Sequence, residues 1–86
     1  MIIIYSPHFE RLYRRLPGDV KDDAELAEEI FRNNPQDARL RVHKLSGRLS
    51  GYWAFSVNFE YRIIFYYGNS KEEIFFDSIG NHDIYR

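Results

Sequence analysis

The feature that most constrains the fold is a series of three strand-like runs in the second half of the chain. They cover residues 52–57, 61–67 and 74–79 and are rich in aromatic and β-branched side chains. The links between them are short, and the second link begins with the turn sequence Gly68-Asn69-Ser70-Lys71. Because parallel neighbours need a long crossover between them, the three runs predict an antiparallel meander.

The first half of the chain predicts one more strand and two helices. Residues 2–5 are apolar and β-branched, and Ser6-Pro7 after them is a typical helix start, with serine as N-cap and proline in the first turn. Pro17-Gly18 ends this helix, Asp19 is predicted to cap a second one, and the sequence 33–35 closes it. Both helices carry an apolar stripe at helical spacing, formed by Phe9, Leu12, Tyr13 and Leu16 in the first and by Val20, Ala24, Ala27, Ile30 and Phe31 in the second.

The predicted order is therefore β-α-α-β-β-β. We expect an α+β fold in which an N-terminal helical hairpin packs on a mostly antiparallel four-stranded sheet. The 86 residues are expected to form one domain. Residues 36–51 are predicted to be a basic connector, and the tail 80–86 is too polar and too short for a further strand.

The composition indicates the cellular compartment and excludes some kinds of chemistry. The chain contains no Cys, so disulfide bonds and thiolate chemistry are excluded, which fits a reducing cytoplasm. Its first residues offer three consecutive aliphatic side chains before polar ones begin, so we expect neither a signal peptide nor a membrane span. Histidines do not cluster at ligand spacing, so the sequence predicts no metal site and no cofactor.

Charge is distributed unevenly along the chain. The formal net charge is −1, but residues 1–31 carry −3, residues 32–62 carry +4 and residues 63–86 carry −2. The middle segment is either a chance cluster on a solvated surface or a local face that binds a polyanion.

Four phrases of the sequence stand out by their order and spacing: Ser6-Pro7-His8-Phe9, His43-Lys44-Leu45-Ser46-Gly47 with Gly51-Tyr52-Trp53, Tyr61-Arg62-Ile63-Ile64-Phe65 and Gly80-Asn81-His82-Asp83-Ile84-Tyr85. Together they resemble the RelE/ParE superfamily of toxins from type II toxin–antitoxin systems. The resemblance spans nearly the whole chain and implies a toxin that a co-expressed antitoxin neutralises. In the RelE and YafQ branches it implies a ribosome-dependent mRNA endonuclease, and in the ParE branch an inhibitor of DNA gyrase.

Metal-free RNA cleavage needs a base for the 2′-OH, cations for the phosphorane and an acid for the leaving 5′-oxygen. By the resemblance, His82 matches a catalytic histidine of YafQ-like toxins, and Arg62 matches the arginine with which RelE-like enzymes hold a phosphate. Histidine can exchange protons near neutral pH, and a guanidinium can hold a phosphate with two hydrogen bonds. The alternatives are a surface histidine in the tail and an ion pair of Arg62 with Glu60 or Asp77.

The resemblance adds three further catalytic candidates. His43 matches another active-site histidine, although a loop histidine that caps a backbone group is the alternative. Glu60 falls where YafQ-like toxins carry a functional aspartate and could orient a histidine. Tyr85 could stack on a base or donate to the phosphate, or could simply pack on the sheet.

Basic residues of the connector are candidates for RNA binding rather than for chemistry. Lys44, Arg41 and Arg48 could hold phosphates, and Tyr52 could offer a stacking surface. Two features depart from the family pattern. Ser56 stands where YafQ-like toxins have a further histidine, and the chain is slightly acidic whereas RelE-type nucleases tend to be basic.

Three functions therefore remain open. The first is an mRNA endonuclease, which needs His82, Arg62 and His43 on one concave face and has an antitoxin, the ribosome and mRNA as partners. The second is a non-enzymatic, ParE-like gyrase inhibitor. The third is a toxin-like binding module that has lost its activity.

Overall fold

The fold is built on a five-stranded mixed sheet with two helices, described by a computed structural model for residues 1–70 and 72–85. The strands are β1 (Ile2–Tyr5), β2 (His43–Lys44), β3 (Trp53–Ser56), β4 (Arg62–Tyr67) and β5 (Glu73–Gly80); the helices are α1 (Pro7–Arg14) and α2 (Gly18–Asn33). Their order in the sheet is β1-β5-β4-β3-β2. β1 runs parallel to β5, and all other neighbours are antiparallel. The α+β class, the helical hairpin and the meander were predicted correctly.

The predicted number of strands was too low by one. The additional strand, β2, has two residues and lies in the segment predicted to be a connector. His43 pairs with Ala54 and Lys44 with Trp53, so β2 forms because β3 offers its edge. Two polar residues have no strand signal of their own, and for this reason the sequence did not indicate β2.

The two helix starts differ from each other. Ser6 caps α1 as predicted, because its Oγ accepts a hydrogen bond from the N–H of Phe9 at 2.9 Å. Asp19 is not the cap of α2: the helix already begins at Gly18, with Pro17 in the cap position. Proline has a fixed φ near the helical value, and the N–H that it lacks would have no helical partner there.

The core lies between the helices and one face of the sheet. Phe31 of α2 is fully buried at its centre and stacks on Phe55, with ring centroids 4.7 Å apart. The rings of Phe65 and Phe76 pack edge-on against Phe31. This aromatic cluster gives a short chain the apolar area that it needs to fold.

The remaining segments connect the strands or follow them. Short 3-10 turns cover Ala38–Leu40, Gly47–Leu49 and His82–Tyr85. The part of the tail that the structure describes beyond β5 forms no strand, as predicted. Lys71 of the predicted turn and Arg86 of the tail lie outside the described residues. Of the helices in the described ranges, none is long and apolar enough to cross a membrane.

Candidate active site

A cavity of about 420 Å³ opens beside the ends of β3, β4 and β5. All five side chains that sequence analysis named as catalytic candidates line it. Two further side chains, one aliphatic and one aromatic, complete its wall. The lining residues are His43, Leu45, Phe59, Glu60, Arg62, His82 and Tyr85.

The strand register explains why residues so distant in sequence meet here. Arg62 is the first residue of β4 and lies between Ser56 of β3 and Gly80, the last residue of β5. Cross-strand partners share one face of a sheet, and these three lie on the face away from the main core. The chain leaves β5 at Gly80, so His82 follows directly beside Arg62. His43 belongs to β2, the next strand of the sheet, where it pairs with Ala54 of β3.

Arg62 is held by backbone carbonyl groups. Its Nη1 donates to the carbonyl oxygen of Asn58 at 2.8 Å and to that of Tyr61 at 3.0 Å. Within residues 1–70 and 72–85 it forms no salt bridge, so the predicted alternative of an ion pair with Glu60 or Asp77 was wrong. Carbonyl oxygens fix the orientation of the guanidinium without neutralising its charge, and its other nitrogens keep their donors for a ligand.

His43 has one nitrogen engaged and one available. Its Nδ1 lies 2.9 Å from the carbonyl oxygen of Arg41. A carbonyl can only accept, so Nδ1 carries the proton, and in the neutral ring Nε2 keeps its lone pair. Arg41 adopts the left-handed conformation, with φ 51° and ψ 45°, in the turn that presents this carbonyl. The predicted alternative, a histidine that caps a backbone group, is therefore observed, and the bond leaves Nε2 able to accept a proton.

His82 and Tyr85 lie on the 3-10 turn that follows β5. The imidazole of His82 is exposed, whereas Tyr85 is half-buried. Burial raises the pKa of Tyr85, and the nearby positive charge of Arg62 opposes this shift. The phenol is protonated at neutral pH and can donate a hydrogen bond.

Glu60 belongs to the link between β3 and β4. Its side chain is exposed, and its N–H donates to Oδ1 of Asn58 at 2.9 Å. The same Oδ1 accepts from the N–H of Tyr61 at 2.9 Å, and Nδ2 of Asn58 donates to Asp23 of α2 at 2.9 Å. One asparagine side chain thus holds the link that carries Glu60 at the edge of the cavity.

The four predicted RNA-binding residues do not line the cavity. Arg41 and Arg48 are exposed in the connector, and Nζ of Lys44 lies 5.4 Å from the centre of the Trp53 ring. Tyr52 packs edge-on against another tyrosine, Tyr66, with centroids 5.4 Å apart. If these residues bind RNA, they contact it beyond the cavity.

Sequence analysis missed three residues of the site: Leu45, Asn58 and Phe59. The signal for Phe59 was available, because a phenylalanine in a short link between two strands stands where a polar residue is usual. No sequence signal identifies the contact of Asn58 with Asp23, since the two are far apart along the chain. In the described ranges, no group of three or more His, Cys, Asp or Glu side chains is arranged to hold a metal ion.

Comparison with known proteins finds matches among solved structures. No family model matches the chain, and no curated protein matches it either. YafQ from E. coli strain BL21(DE3) superposes with a TM-score of 0.78 at 20% identity, over 96% of this chain and 94% of that one. A YoeB/ParE toxin from Agrobacterium tumefaciens gives a TM-score of 0.77 at 15% identity, over 95% and 99%. A chain of the RelB-RelE antitoxin-toxin complex from Methanococcus jannaschii gives a TM-score of 0.73 at 20% identity, over 95% of this chain and 94% of that one.

The chain has the RelE/ParE toxin fold. The superpositions cover nearly the full length of both chains, so the helical hairpin and the whole sheet correspond. At these identities the likeness shows the fold alone.

A second cavity of this RelE/ParE fold, about 610 Å³, is a groove between α1 and α2. Its floor is apolar and includes Phe9, Tyr13 and Ile63. Its rim carries four carboxylates and two guanidinium groups, those of Glu10, Glu25, Glu28 and Glu29 and of Arg14 and Arg32. Arg32 pairs with Glu28 at 3.2 Å, so the remaining rim charge is mostly negative.

Proposed function

We propose that this protein is the toxin of a type II toxin–antitoxin system and that it cleaves mRNA on the ribosome. The observation that carries the proposal is the shared cavity, in which two imidazoles, a guanidinium and a phenol meet. These are the groups that metal-free RNA cleavage needs, and they come from three separate segments of the chain. The RelE/ParE fold agrees with the proposal.

In the proposed reaction, His43 acts as the general base. Its Nε2 takes the proton of the 2′-OH, and the 2′-oxygen attacks the adjacent phosphorus. Arg62 donates to the phosphate oxygens and offsets the charge that builds up on them. The bond from phosphorus to the 5′-oxygen then breaks, and protonated His82 gives its proton to that oxygen. The products are a 2′,3′-cyclic phosphate and a free 5′-hydroxyl.

The hydrogen bond of His43 supports its assignment as the base. Nδ1 is occupied by the Arg41 carbonyl, so Nε2 is the site from which a neutral His43 can accept a proton. Tyr85, whose pKa is raised, serves as a donor to the phosphate. Glu60 lines the same cavity and could orient an imidazolium in it.

The primary test is primer extension on mRNA after induction of the protein. We expect discrete cuts within codons for the wild type and a loss of cutting by about 10²- to 10⁴-fold for His82→Ala, as for removal of a general acid. His8 is the third histidine of the chain and lies on the exposed side of α1, outside the cavity, so His8→Ala is the matched control. Intact transcripts with lost supercoiling would instead indicate a gyrase inhibitor. Growth without either effect would indicate an inactive binding module.

A second experiment separates the acid from the base. An mRNA with sulfur in place of the bridging 5′-oxygen releases a thiolate, which needs no proton to leave. On this substrate His82→Ala should recover most of its lost rate, whereas His43→Ala should remain slow. The opposite pattern would exchange the two roles.

We also infer that the groove between α1 and α2 receives the antitoxin. An apolar floor with an acidic rim fits an amphipathic segment whose apolar side chains are flanked by Lys or Arg. Calorimetric binding to the product of the neighbouring gene tests this inference. The double change Glu25→Lys/Glu29→Lys should weaken binding and make it less dependent on salt, whereas Glu72→Lys, outside the groove, should not. If the double variant and Glu72→Lys bind the antitoxin equally well, the antitoxin binds another surface.

A further inference from the structure

Phe59 is the most exposed large apolar side chain in the described part of the protein, with 98% of its surface accessible. It lies in the link between β3 and β4 and lines the cavity together with Arg62. Single exposed hydrophobic residues are common on protein surfaces, so exposure alone assigns no role to this ring. Its role is indicated by the hydrogen bonds that fix the link and by the polar side chains that line the cavity beside the ring.

The backbone on both sides of Phe59 is fixed by Asn58. Oδ1 of Asn58 accepts hydrogen bonds from the N–H groups of Glu60 and Tyr61, and Nδ2 ties the link to Asp23 of α2. A link held in this way loses little conformational freedom when a ligand binds the ring that it carries. The chain therefore fixes the backbone from which this exposed ring projects.

The same asparagine also orients the guanidinium. The carbonyl oxygen of Asn58 accepts from Nη1 of Arg62 at 2.8 Å, so ring and guanidinium share one anchor. A guanidinium binds phosphate, and an aromatic ring binds the flat face of a base. A nucleotide presents both groups, separated by one sugar.

We propose that Phe59 stacks on a base of the mRNA next to the phosphate that Arg62 holds. This inference rests on the proposed function and assigns to that site a residue that contacts the base. The polar lining around the ring favours a nucleotide over an apolar protein surface, because His43, Glu60, Arg62 and His82 share the cavity with it. Stacking needs a π face, so a tyrosine can replace Phe59 and an aliphatic side chain cannot.

The test uses purified ribosomes programmed with an mRNA that carries 2-aminopurine at one position of the A-site codon. Stacking on a ring quenches 2-aminopurine fluorescence, and cleavage is followed in the same reaction under single-turnover conditions. The variants are Phe59→Leu and Phe59→Tyr. Ile2→Ala removes an exposed apolar side chain from the β1 edge of the sheet and is the matched control.

For Phe59→Leu we expect loss of the quench at one codon position and cleavage slower by about 5- to 150-fold, the effect of removing one stacked aromatic ring. Phe59→Tyr should keep the quench and cut at a rate close to that of the wild type. The exposed ring contributes little to the core, so the melting temperatures of both variants should match that of the wild type.

The outcomes separate this inference from the function on which it rests. If the wild type cuts programmed ribosomes and Phe59→Leu cuts equally fast with the quench retained, the stacking role is refuted and the nuclease stands. If Phe59→Leu cuts normally but loses affinity for the antitoxin, the ring is a protein contact and the inference is equally wrong. If the wild type does not cut programmed ribosomes, the proposed function itself fails.

Discussion

Replacement of Asn58 by alanine should destabilise the protein far more than its position in a surface link suggests. The side chain forms three hydrogen bonds, to the N–H groups of Glu60 and Tyr61 and to a carboxylate oxygen of Asp23. Each such bond contributes a net ~0.5–1.5 kcal/mol to stability. Asn58 is half-buried, so we take the lower part of this range and expect a loss of about 2 kcal/mol.

The assay is thermal unfolding followed by circular dichroism. For a domain of this size, a loss of about 2 kcal/mol lowers Tm by roughly 8–16 °C. Asn69→Ala is the matched control, because Asn69 is exposed in the other link of the meander. Its replacement should change stability by less than about 0.5 kcal/mol.

Two further measurements locate the effect. Hydrogen exchange at the amides of Glu60 and Tyr61 should become faster in Asn58→Ala, since both lose their acceptor. A double-mutant cycle with Asp23→Ala should give a coupling energy of about 0.5–1.5 kcal/mol for the bond between the link and α2. A zero coupling, or an Asn58→Ala protein as stable as Asn69→Ala, would refute the view that this side chain holds the site.

Three other predictions test the parts of the fold that position the site. Ser6→Ala removes the N-cap of α1 and should cost about 1 kcal/mol in urea unfolding. Phe31→Ala empties the centre of the core, where the ring is 0% exposed, and should cost about 3–5 kcal/mol in urea unfolding, a large part of the total stability of a small domain. Hydrogen bonds from Arg39 lower the pKa of Asp37 from 3.8 to about 2, so its carboxyl should titrate near pH 2 by NMR. Because the folded pKa is the lower one, the stabilisation is complete above about pH 4 and is lost as the pH falls toward 2.

The elements that the sequence predicted well are those with a strong local signal. Long runs of aromatic and β-branched residues produced β3, β4 and β5, and Ser6-Pro7 produced the start of α1. The strand β2 could not be predicted, because His43 and Lys44 become a strand only through the edge that β3 offers. Local residue propensity cannot predict a strand that forms only because it pairs with a neighbouring strand.

The candidate site shows the same division. Histidine is rare in this chain, with 3 residues, and the family resemblance selected His43 and His82 among them and Arg62 among the more numerous arginines. The hydrogen bonds that hold these side chains in place could not be predicted from the sequence. An ion pair with a carboxylate was the alternative to a phosphate-binding role for Arg62, but its guanidinium instead donates to two carbonyl oxygens. Backbone acceptors are present at every residue, so only the path of the chain decides which of them a side chain meets.

The slightly acidic net charge, which departs from the basic character of RelE-type nucleases, has a structural explanation. Ile63 lines the acidic groove and Arg62 lines the cavity, and consecutive residues of a strand point to opposite faces of the sheet. The carboxylates of α1 and α2 therefore lie on the other side of the sheet from the proposed RNA site. Charges farther apart than about 8 Å are largely screened at physiological ionic strength. The net charge of the whole chain therefore does not predict the local charge at the groove or at the cavity.

The same separation bears on how an antitoxin would neutralise the protein. A segment confined to the groove would leave the cavity open, because the sheet lies between them. Neutralisation then requires either a second antitoxin segment that reaches the cavity or a complex too bulky to enter the ribosomal A site. The two cases differ in one measurable respect. In the second case, the complex should still bind a short RNA at Arg62 while failing to cut mRNA on the ribosome.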